Sequence, residues 1–407
     1  MVCFRLFLAL FFSGVVSGAG IAAEPSADEL RQKFQETIAA SRLPLEMWGG
    51  KLTGPGLEFL IARAGESQFV LIGEEHGVAT IADTVRAYFT DLNDLGYRHI
   101  ALEADPYMTE RMERTLRAGG TKALAKLLSA DDAKFALPFY SWSAEAALAN
   151  AVEKAKGSTV PALWGLDQVF IGAYGVLLKD ISEQTVSADA RALAGQLTAQ
   201  ARGDLEFLSK VEIAEFEKLR RLLVDQRDSA LAALVDDMIL SAKIYAPFIG
   251  KTGLSVYAAN LERENYMKRQ FLLRYGQAGK PKVFFKFGGN HMSVGLSGTH
   301  VPALANFVSD YAMAEGVKAF NVFILCGPGS KAGDFLGNTV DCDMSVAKDF
   351  PDLVGAVDSK QPTLFDLRGW KDKPRRWEHM SQSVRELVWA YDAILFVPNG
   401  KPASFLK

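Results

Sequence analysis

QFVLIGEEHG, residues 68–77, is a short apolar run that stops at a glycine and turns at once into two carboxylates and an imidazole. An unbroken run of about 4–8 apolar residues bounded by a turn signal is what a strand buried on both faces looks like. Outward from it, two kinds of pattern alternate. VATIADTVRAYFTDLNDLG (78–96) places Ile81, Val85, Phe89, Leu92 and Leu95 at helical spacing. HIALEA (99–104) reads as a strand, ALANAVEKAKG (147–157) as a helix ending at a glycine, and PALWGLD (161–167) as a strand again. KVFFKFGG (282–289), FNVFIL (320–325), TLFDL (363–367) and AILFV (393–397) complete the strand candidates. The alternation predicts an α/β fold with a mostly parallel central sheet flanked by helices.

Residues 171–275 interrupt this rhythm. SADARALAGQLTAQARGDLEFLSK (187–210) and AEFEKLRRLLVDQRDSALAALVDDMILSAKIYA (214–246) are amphipathic, and strand signals are sparse. They predict a helical insertion or lobe on an α/β core made of 24–170 and 276–407. Ser26 to Glu29 has the form of a capping box opening a helix to about Ala40, and the Gly/Pro-rich WGGKLTGPG (48–56) then breaks the chain.

The chain has 407 residues, with 45 Lys and Arg against 48 Asp and Glu, for a formal charge of -3. That length suits one large or two medium domains, and a near-neutral chain without a long basic run argues against nucleic acid as a partner. With 49% hydrophobic and 23% charged residues, a mainly disordered or fibrous chain is excluded. Residues 1–23, MVCFRLFLALFFSGVVSGAGIAA, set Arg5 before the apolar run Leu6–Phe12 and small residues before Glu24. This is the form of a signal peptide cleaved near Ala23. An uncleaved anchor is the alternative, although the run is shorter than the ~18–20 apolar residues of a spanning helix. The mature chain is thus expected to be periplasmic or secreted, with no transmembrane segment. Removing the leader takes Cys3 and leaves Cys326 and Cys342, which an oxidising compartment would bridge; two buried thiols are the alternative.

Ionisable residues gather where the strand candidates end. The first run meets Glu74, Glu75 and His76; HIALEA carries Glu103 and leads to Asp105; PALWGLD stops at Asp167; KVFFKFGGN meets His291. In open parallel sheets, ligands sit beyond the carboxyl ends of the strands. If these strands are neighbours, the residues converge, and holding so many carboxylates together takes a cation, a proton or donors nearby. In extended chain, residues i and i+2 face the same way, which lets Glu74 share a side with His76 and Glu103 with Asp105. Each residue also has a plainer reading: a helix cap for Asp167 or His291, a solvated turn for a glutamate. His99 starts a strand at the opposite end and reads as structural. His300 and His379 read as surface residues, and Phe139, Tyr140 and Trp142 as core, with the lining of a pocket as the alternative. Arg263, in LERENYMKRQF (261–271), reads by itself as a surface partner of Glu262 or Glu264.

Taken in order, these motifs resemble the erythromycin esterase-like group and its relatives, the haem-binding ChaN-like proteins and the Tiki-type metalloproteases. EFLIARAGESQFVLIGEEHG (58–77) is similar to the family's opening helix, strand and Gly-Glu-x(-x)-His turn, and HIALEADP (99–106) to its next strand with an acidic end. RENYM (263–267) resembles an Arg-(Asp/Glu)-x-x-Met segment, FKFGGNHMSVG (285–295) the later His-bearing strand end, and YDAILFV (391–397) a terminal strand. The resemblance implies His76 as the base that activates water and Glu74 and Glu103 as orienting carboxylates. It implies His291 as a second essential imidazole and Arg263 turned inward toward developing negative charge. In one respect the chain departs from it. The macrolide esterases usually carry Gly-Glu-Ser-x-His, one residue longer than Gly73-Glu74-Glu75-His76. The shorter turn bears against macrolide specificity and leaves Glu74 and Glu75 as alternatives for the group facing the pocket.

Three functions follow as expectations. The first is a hydrolase needing no cofactor, cleaving an ester, lactone or amide in a small molecule or peptide, with Asp105 and Asp167 binding substrate. The second is a metal-dependent peptidase of Tiki-like type, with a divalent ion among His76, Glu103 and His291. The third is a ChaN-like haem- or iron-binding protein without turnover. No Gly-x-Ser-x-Gly elbow is present, so a serine acyl-enzyme is not favoured. Oligomeric state is left open.

Overall fold

The apolar runs form strands that lie side by side. The structure, a computed structural model, describes residues 26–133, 135–155, 157, 161–342, 351–371 and 382–407. The leader at 1–23 and His379 lie outside the described residues. In chain order the strands are β1 (Arg42–Pro44), β2 (Glu46–Trp48), β3 (Lys51–Thr53), β4 (Phe69–Glu74), β5 (His99–Leu102), β6 (Leu163–Gly165), β7 (Val283–Gly288), β8 (Ala319–Cys326), β9 (Lys331–Gly333), β10 (Thr339–Asp341), β11 (Thr363–Asp366) and β12 (Ala393–Val397). Eight of them form one sheet in the order β1-β11-β12-β8-β4-β7-β5-β6. From β12 to β6 all neighbours are parallel, whereas β11 runs antiparallel to β12 and β1.

The main helices are α1 (Ala27–Ser41), α2 (Pro55–Glu66), α3 (Ala79–Leu92), α4 (Pro106–Leu128), α5 (Ser143–Ala155), α6 (Tyr174–Gln184), α7 (Ala188–Ala201), α8 (Phe207–Lys210), α9 (Ile213–Asp225), α10 (Ser229–Tyr245), α11 (Val256–Gln277) and α12 (Leu304–Ala314). α1 opens on the capping box read from Ser26 and Glu29. Strands β4, β5, β7 and β12 are buried at every position, which is why they read as continuous apolar runs instead of alternating ones. Successive residues still serve opposite faces. Val70, Ile72, Ile100, Leu102 and Phe284 join a core with Val85 of α3, Met112 of α4 and Leu148 of α5. Phe69, Leu71, Ala101, Phe285 and Phe287 pack instead with Met267 and Phe271 of α11 and Val308 of α12. Residues 171–275 fold as helices, with no strand among the described residues between β6 and β7. The last of these helices, α11, is nevertheless part of the sheet's own cover.

Two features escaped the pattern reading. WGGK does more than interrupt the chain: Gly49 (φ 57) and Gly50 (φ 78) turn β2 back on β3, and a two-residue hairpin loop with both central φ positive suits glycine. The other is a second hairpin, β9–β10, after β8; the disulfide that crosses it joins Cys326 to Cys342, the pair named from the sequence, with Cα atoms 6.5 Å apart. This hairpin meets the turn after β4 backbone to backbone. The Gly77 carbonyl accepts the N–H groups of Gly333 and Ala403, both at 2.7 Å. A Cβ on Gly77 would lie 2.4 Å from the Gly333 oxygen, and one on Gly333 would lie 2.3 Å from the Ala403 oxygen. Among the described residues, no helix is long and apolar enough to cross a membrane.

The strand order also divides the path of the chain. β5 leads outward to β6, while β7 leads past β4 to β8 on the other side. Connections leaving β5 and β7 therefore part, and a crevice is expected at their carboxyl ends.

Candidate active site

Four strand ends deliver their side chains to that crevice. β4 ends in Glu74, with His76 two residues on; Glu103 follows β5, Asp167 follows β6, and His291 lies three residues beyond Gly288 at the end of β7. A cavity of about 1300 Å³ opens there, with Glu74, Glu75, His76, Glu103, Arg263 and His291 in its lining. Glu103 is the hub. Its Oε1 accepts Arg263 Nη2 at 3.0 Å and lies 3.2 Å from His291 Nε2. Its Oε2 accepts the Gly288 N–H at 2.7 Å and lies 3.4 Å from His76 Nε2. Each imidazole has a further carboxylate at its other nitrogen: Glu74 Oε1 is 3.1 Å from His76 Nδ1, and Glu264 Oε1 is 2.6 Å from His291 Nδ1. The result is a continuous row of acid, imidazole, acid, imidazole, acid. Gly288 is required by close approach, since a Cβ there would sit 2.6 Å from His76 Nε2.

This row sets the charges. Burial opposes charge on His76, but hydrogen bonds to Glu103 and Glu74 push its pKa up to about 9. For His291, burial again opposes charge, and Glu103 and Glu264, working against the Arg263 charge, push it up to about 10. Burial alone would raise Glu103 and Glu74. His291 and His76 reverse this for Glu103, and Lys286 and His76 for Glu74, so both carboxyls lie below their ordinary value. The row thus favours the protonated form of both imidazoles.

The expected residues divide into those the structure brings together and those it sends elsewhere. Glu74, His76, Glu103, His291 and Arg263 meet. Arg263 is not the surface partner that its helix alone suggested: it points inward from α11, with Nε and Nη2 on Asp167 at 2.9 and 2.5 Å. Asp167 is absent from the cavity lining and holds Arg263 in place, so its expected role as a substrate contact is corrected. Asp105 is corrected too. It is fully buried and, as the residue before the helix that opens at Pro106, caps α4 by accepting the Met108 N–H at 2.8 Å. Burial, against the Met108 amide and with the Asp167 charge, pushes the Asp105 carboxyl up to about 7. Both Glu74 and Glu75 line the cavity, but only Glu74 joins His76; Glu75 turns toward β8, where its Oε2 accepts the Cys326 N–H at 2.7 Å. Of the two readings for Phe139, core or pocket lining, the structure has the second: it lines the cavity and stacks on the His76 ring with centroids 3.9 Å apart. His99 is structural, buried with Nδ1 on the Pro161 carbonyl at 2.9 Å. His300 is exposed at the cavity's edge.

Three residues of this network were not anticipated. Glu264 backs His291 and also accepts the Leu304 N–H at 2.7 Å. Lys286 Nζ lies 2.5 Å from Glu74 Oε1 and 2.9 Å from Glu145 Oε1, with all three side chains buried. Lys286 did carry a signal: a lysine inside the run KVFFKFGG needs a buried partner. Glu145 and Glu264 lie in ordinary helical sequence, where a glutamate passes for a solvated one.

The donor set does not suit a divalent ion. Both Glu103 oxygens are already engaged by Arg263, Gly288 and the two imidazoles, and a guanidinium stands directly against the carboxylate. Among the described residues, the His/Cys/Asp/Glu group whose ligand atoms all lie within 4.8 Å of one another is Glu75, Cys326 and Cys342, and its two sulfurs are spent on the disulfide. Each active-site imidazole has a carboxylate at both of its nitrogens.

No family model matches the chain, and no curated protein matches it. Solved structures do. A succinoglycan biosynthesis protein superposes with a TM-score of 0.60 at 13% identity, covering 92% of this chain and 98% of that one. A histidine-to-asparagine variant of the erythromycin esterase EreC, in its open conformation, superposes with a TM-score of 0.63 at 14% identity, covering 90% and 99%. This chain has the erythromycin esterase fold. A protein from Bacillus cereus gives a TM-score of 0.62 at 11% identity, over 94% and 100%. Identities this low carry the fold, and the chemistry has to be argued from the site.

Proposed function

We propose that this chain is a hydrolase in which His76 activates water to cleave an ester, lactone or amide. The observation that carries the reading is the seating of one cavity-lining imidazole between two carboxylates, Glu74 at Nδ1 and Glu103 at Nε2. A proton kept on Nδ1 and shared with Glu74 fixes the tautomer, so that deprotonation leaves a lone pair on Nε2. Water gives a proton to Nε2 while its oxygen bonds to the carbonyl carbon and the π pair moves onto the carbonyl oxygen. Arg263, whose Nη1 is outside its bonds to Glu103 and Asp167, and cationic His291 stabilise that oxyanion. The tetrahedral intermediate then breaks its bond to the leaving oxygen or nitrogen, and His76 returns the proton to it. Ester cleavage by the EreC enzyme, as its name describes it, agrees with this reading.

The test is kinetic. On a panel of esters and lactones, His76→Asn and His291→Asn should each lower kcat/KM by about 100-fold or more. In the unaltered protein, kcat/KM should rise with pH as His76 loses its proton near about 9. Full activity in His76→Asn would end the proposal. We also place the protein in an exported, oxidising compartment, a reading supported by the Cys326–Cys342 bridge. Fractionation of cells making the full chain checks it, and a purely cytoplasmic product would refute it.

A further inference from the structure

We infer that Lys286 and Glu145, which lie behind the cavity wall, govern how strongly Glu74 holds His76 and so act as positioning residues for the base. The inference builds on the role proposed for His76, but its central measurement needs no substrate.

Lys286 is 3% exposed in a strand otherwise made of valine, phenylalanine and glycine. Its ammonium bridges two buried carboxylates on different elements, Glu74 at the end of β4 and Glu145 in the first turn of α5. The bridge converges on a single atom. Glu74 Oε1 receives Lys286 Nζ at 2.5 Å and His76 Nδ1 at 3.1 Å, so the two cations compete for it. Glu145 draws Lys286 the other way. The remaining oxygens, Glu74 Oε2 and Glu145 Oε2, are buried without a hydrogen-bond partner, which leaves Lys286 as a main compensation for both charges. As a purely structural device this is poor, because well-packed apolar residues replace buried ion clusters at little or no cost in stability. As a means of adjusting Glu74 it is direct.

Other charges bear on His76 as well. Glu103 faces it from beyond β5, with Arg263 and His291 on the far side of that carboxylate, and Glu75 is its neighbour in the turn. None of these touches Lys286. Burial, against the Lys286 charge and with Glu74, pushes the Glu145 carboxyl up to about 7, so Glu145 is ionised where His76 titrates.

The two positions predict opposite effects. In Glu145→Gln, which keeps the side-chain shape, Lys286 is released toward Glu74, and His76 should titrate lower by about half a pH unit or more. In Lys286→Met the competing cation is gone, and His76 should titrate higher by a comparable amount. The measurement is an NMR titration of the chain with carbon-13-labelled histidine, in which His76→Asn identifies the His76 signal among five. The rising limb of kcat/KM should move in the same two directions. If Lys286→Met fails to fold, the sign in Glu145→Gln decides: a downward shift supports the inference, and no shift overturns it. Equal signs in the two variants also overturn it. Opposite shifts in a protein that hydrolyses nothing would uphold the coupling and count against the hydrolase.

Discussion

Glu103 touches both imidazoles, the guanidinium and a backbone N–H, so its removal reaches every charged part of the site at once. Glu103→Gln takes away the charge that holds protons on His76 and His291. Both should titrate closer to the ordinary histidine value of about 6.5, and the rising limb of the pH–rate profile should shift toward neutrality. Asp167 acts one step back. Asp167→Asn frees Arg263 from its two-point hold, and kcat should fall about tenfold with a smaller change in KM, as expected when a group serves the transition state more than binding. At this scale the strand-end acids and histidines were legible because a parallel sheet offers one end to ligands, and a charged residue closing an apolar run has to go there. Asp105 was misread for a physical reason. Asp-Pro is also the signature of a helix N-cap followed by proline at the first helical position, and the cap claims the Asp105 carboxylate for the Met108 N–H. Glu264, Glu145 and Lys286 act through contacts between distant segments, which no local pattern reports.

Among the elements, the β9–β10 hairpin is partly exposed and is tied to the sheet by a covalent bridge. Ala332, Gly333, Val340, Asp341 and Cys342 lie in the cavity wall, and the bridge from Cys342 returns to the end of β8. Closing a loop of this separation, 16 residues, stabilises by about 3 kcal/mol in the chain-entropy view. Cys342→Ser, or reduction of the bridge, should therefore lower stability by up to that amount in urea unfolding. It should also lower kcat/KM by loosening the wall beside His76, and equal unfolding midpoints for the oxidised and reduced forms would contradict the first expectation. The strands of the sheet core were legible from their unbroken apolar runs. The edge strand β1 and both hairpins were not, because their three-residue strands are partly exposed and lie in no unbroken apolar run, and the Gly-Gly turn reads equally as a break.

For the molecule as a whole, the proton affinities give stability a definite pH dependence. His76 and His291 bind protons more tightly folded than unfolded, so the stability they contribute is full below about 6.5 and is lost as pH rises through about 9 and 10. Asp105, pushed up to about 7, works in the same direction, because keeping it ionised in its buried site costs stability progressively from about pH 4 to 7. Glu74 and Glu103, held low, contribute stability that disappears as pH falls below the ordinary carboxylate range. The melting temperature should thus peak in mildly acidic buffer and decline toward pH 10, and Asp105→Asn should flatten the part of that decline below neutrality. The α/β class and the helical character of 171–275 could be read at this scale because the change of hydrophobic period covers long stretches. The order of the strands could not, since it is set by which faces fit. One consequence concerns the lengths of segments. Gly77, Gly333 and Ala403 meet with no side chain between them, so the turn, the hairpin and the C-terminal tail are mutually gauged, and lengthening any one displaces the other two. An insertion between Glu75 and His76 that copies the longer turn of the macrolide esterases should abolish function by itself, and grafting such a turn calls for the matching hairpin and tail to be transplanted with it.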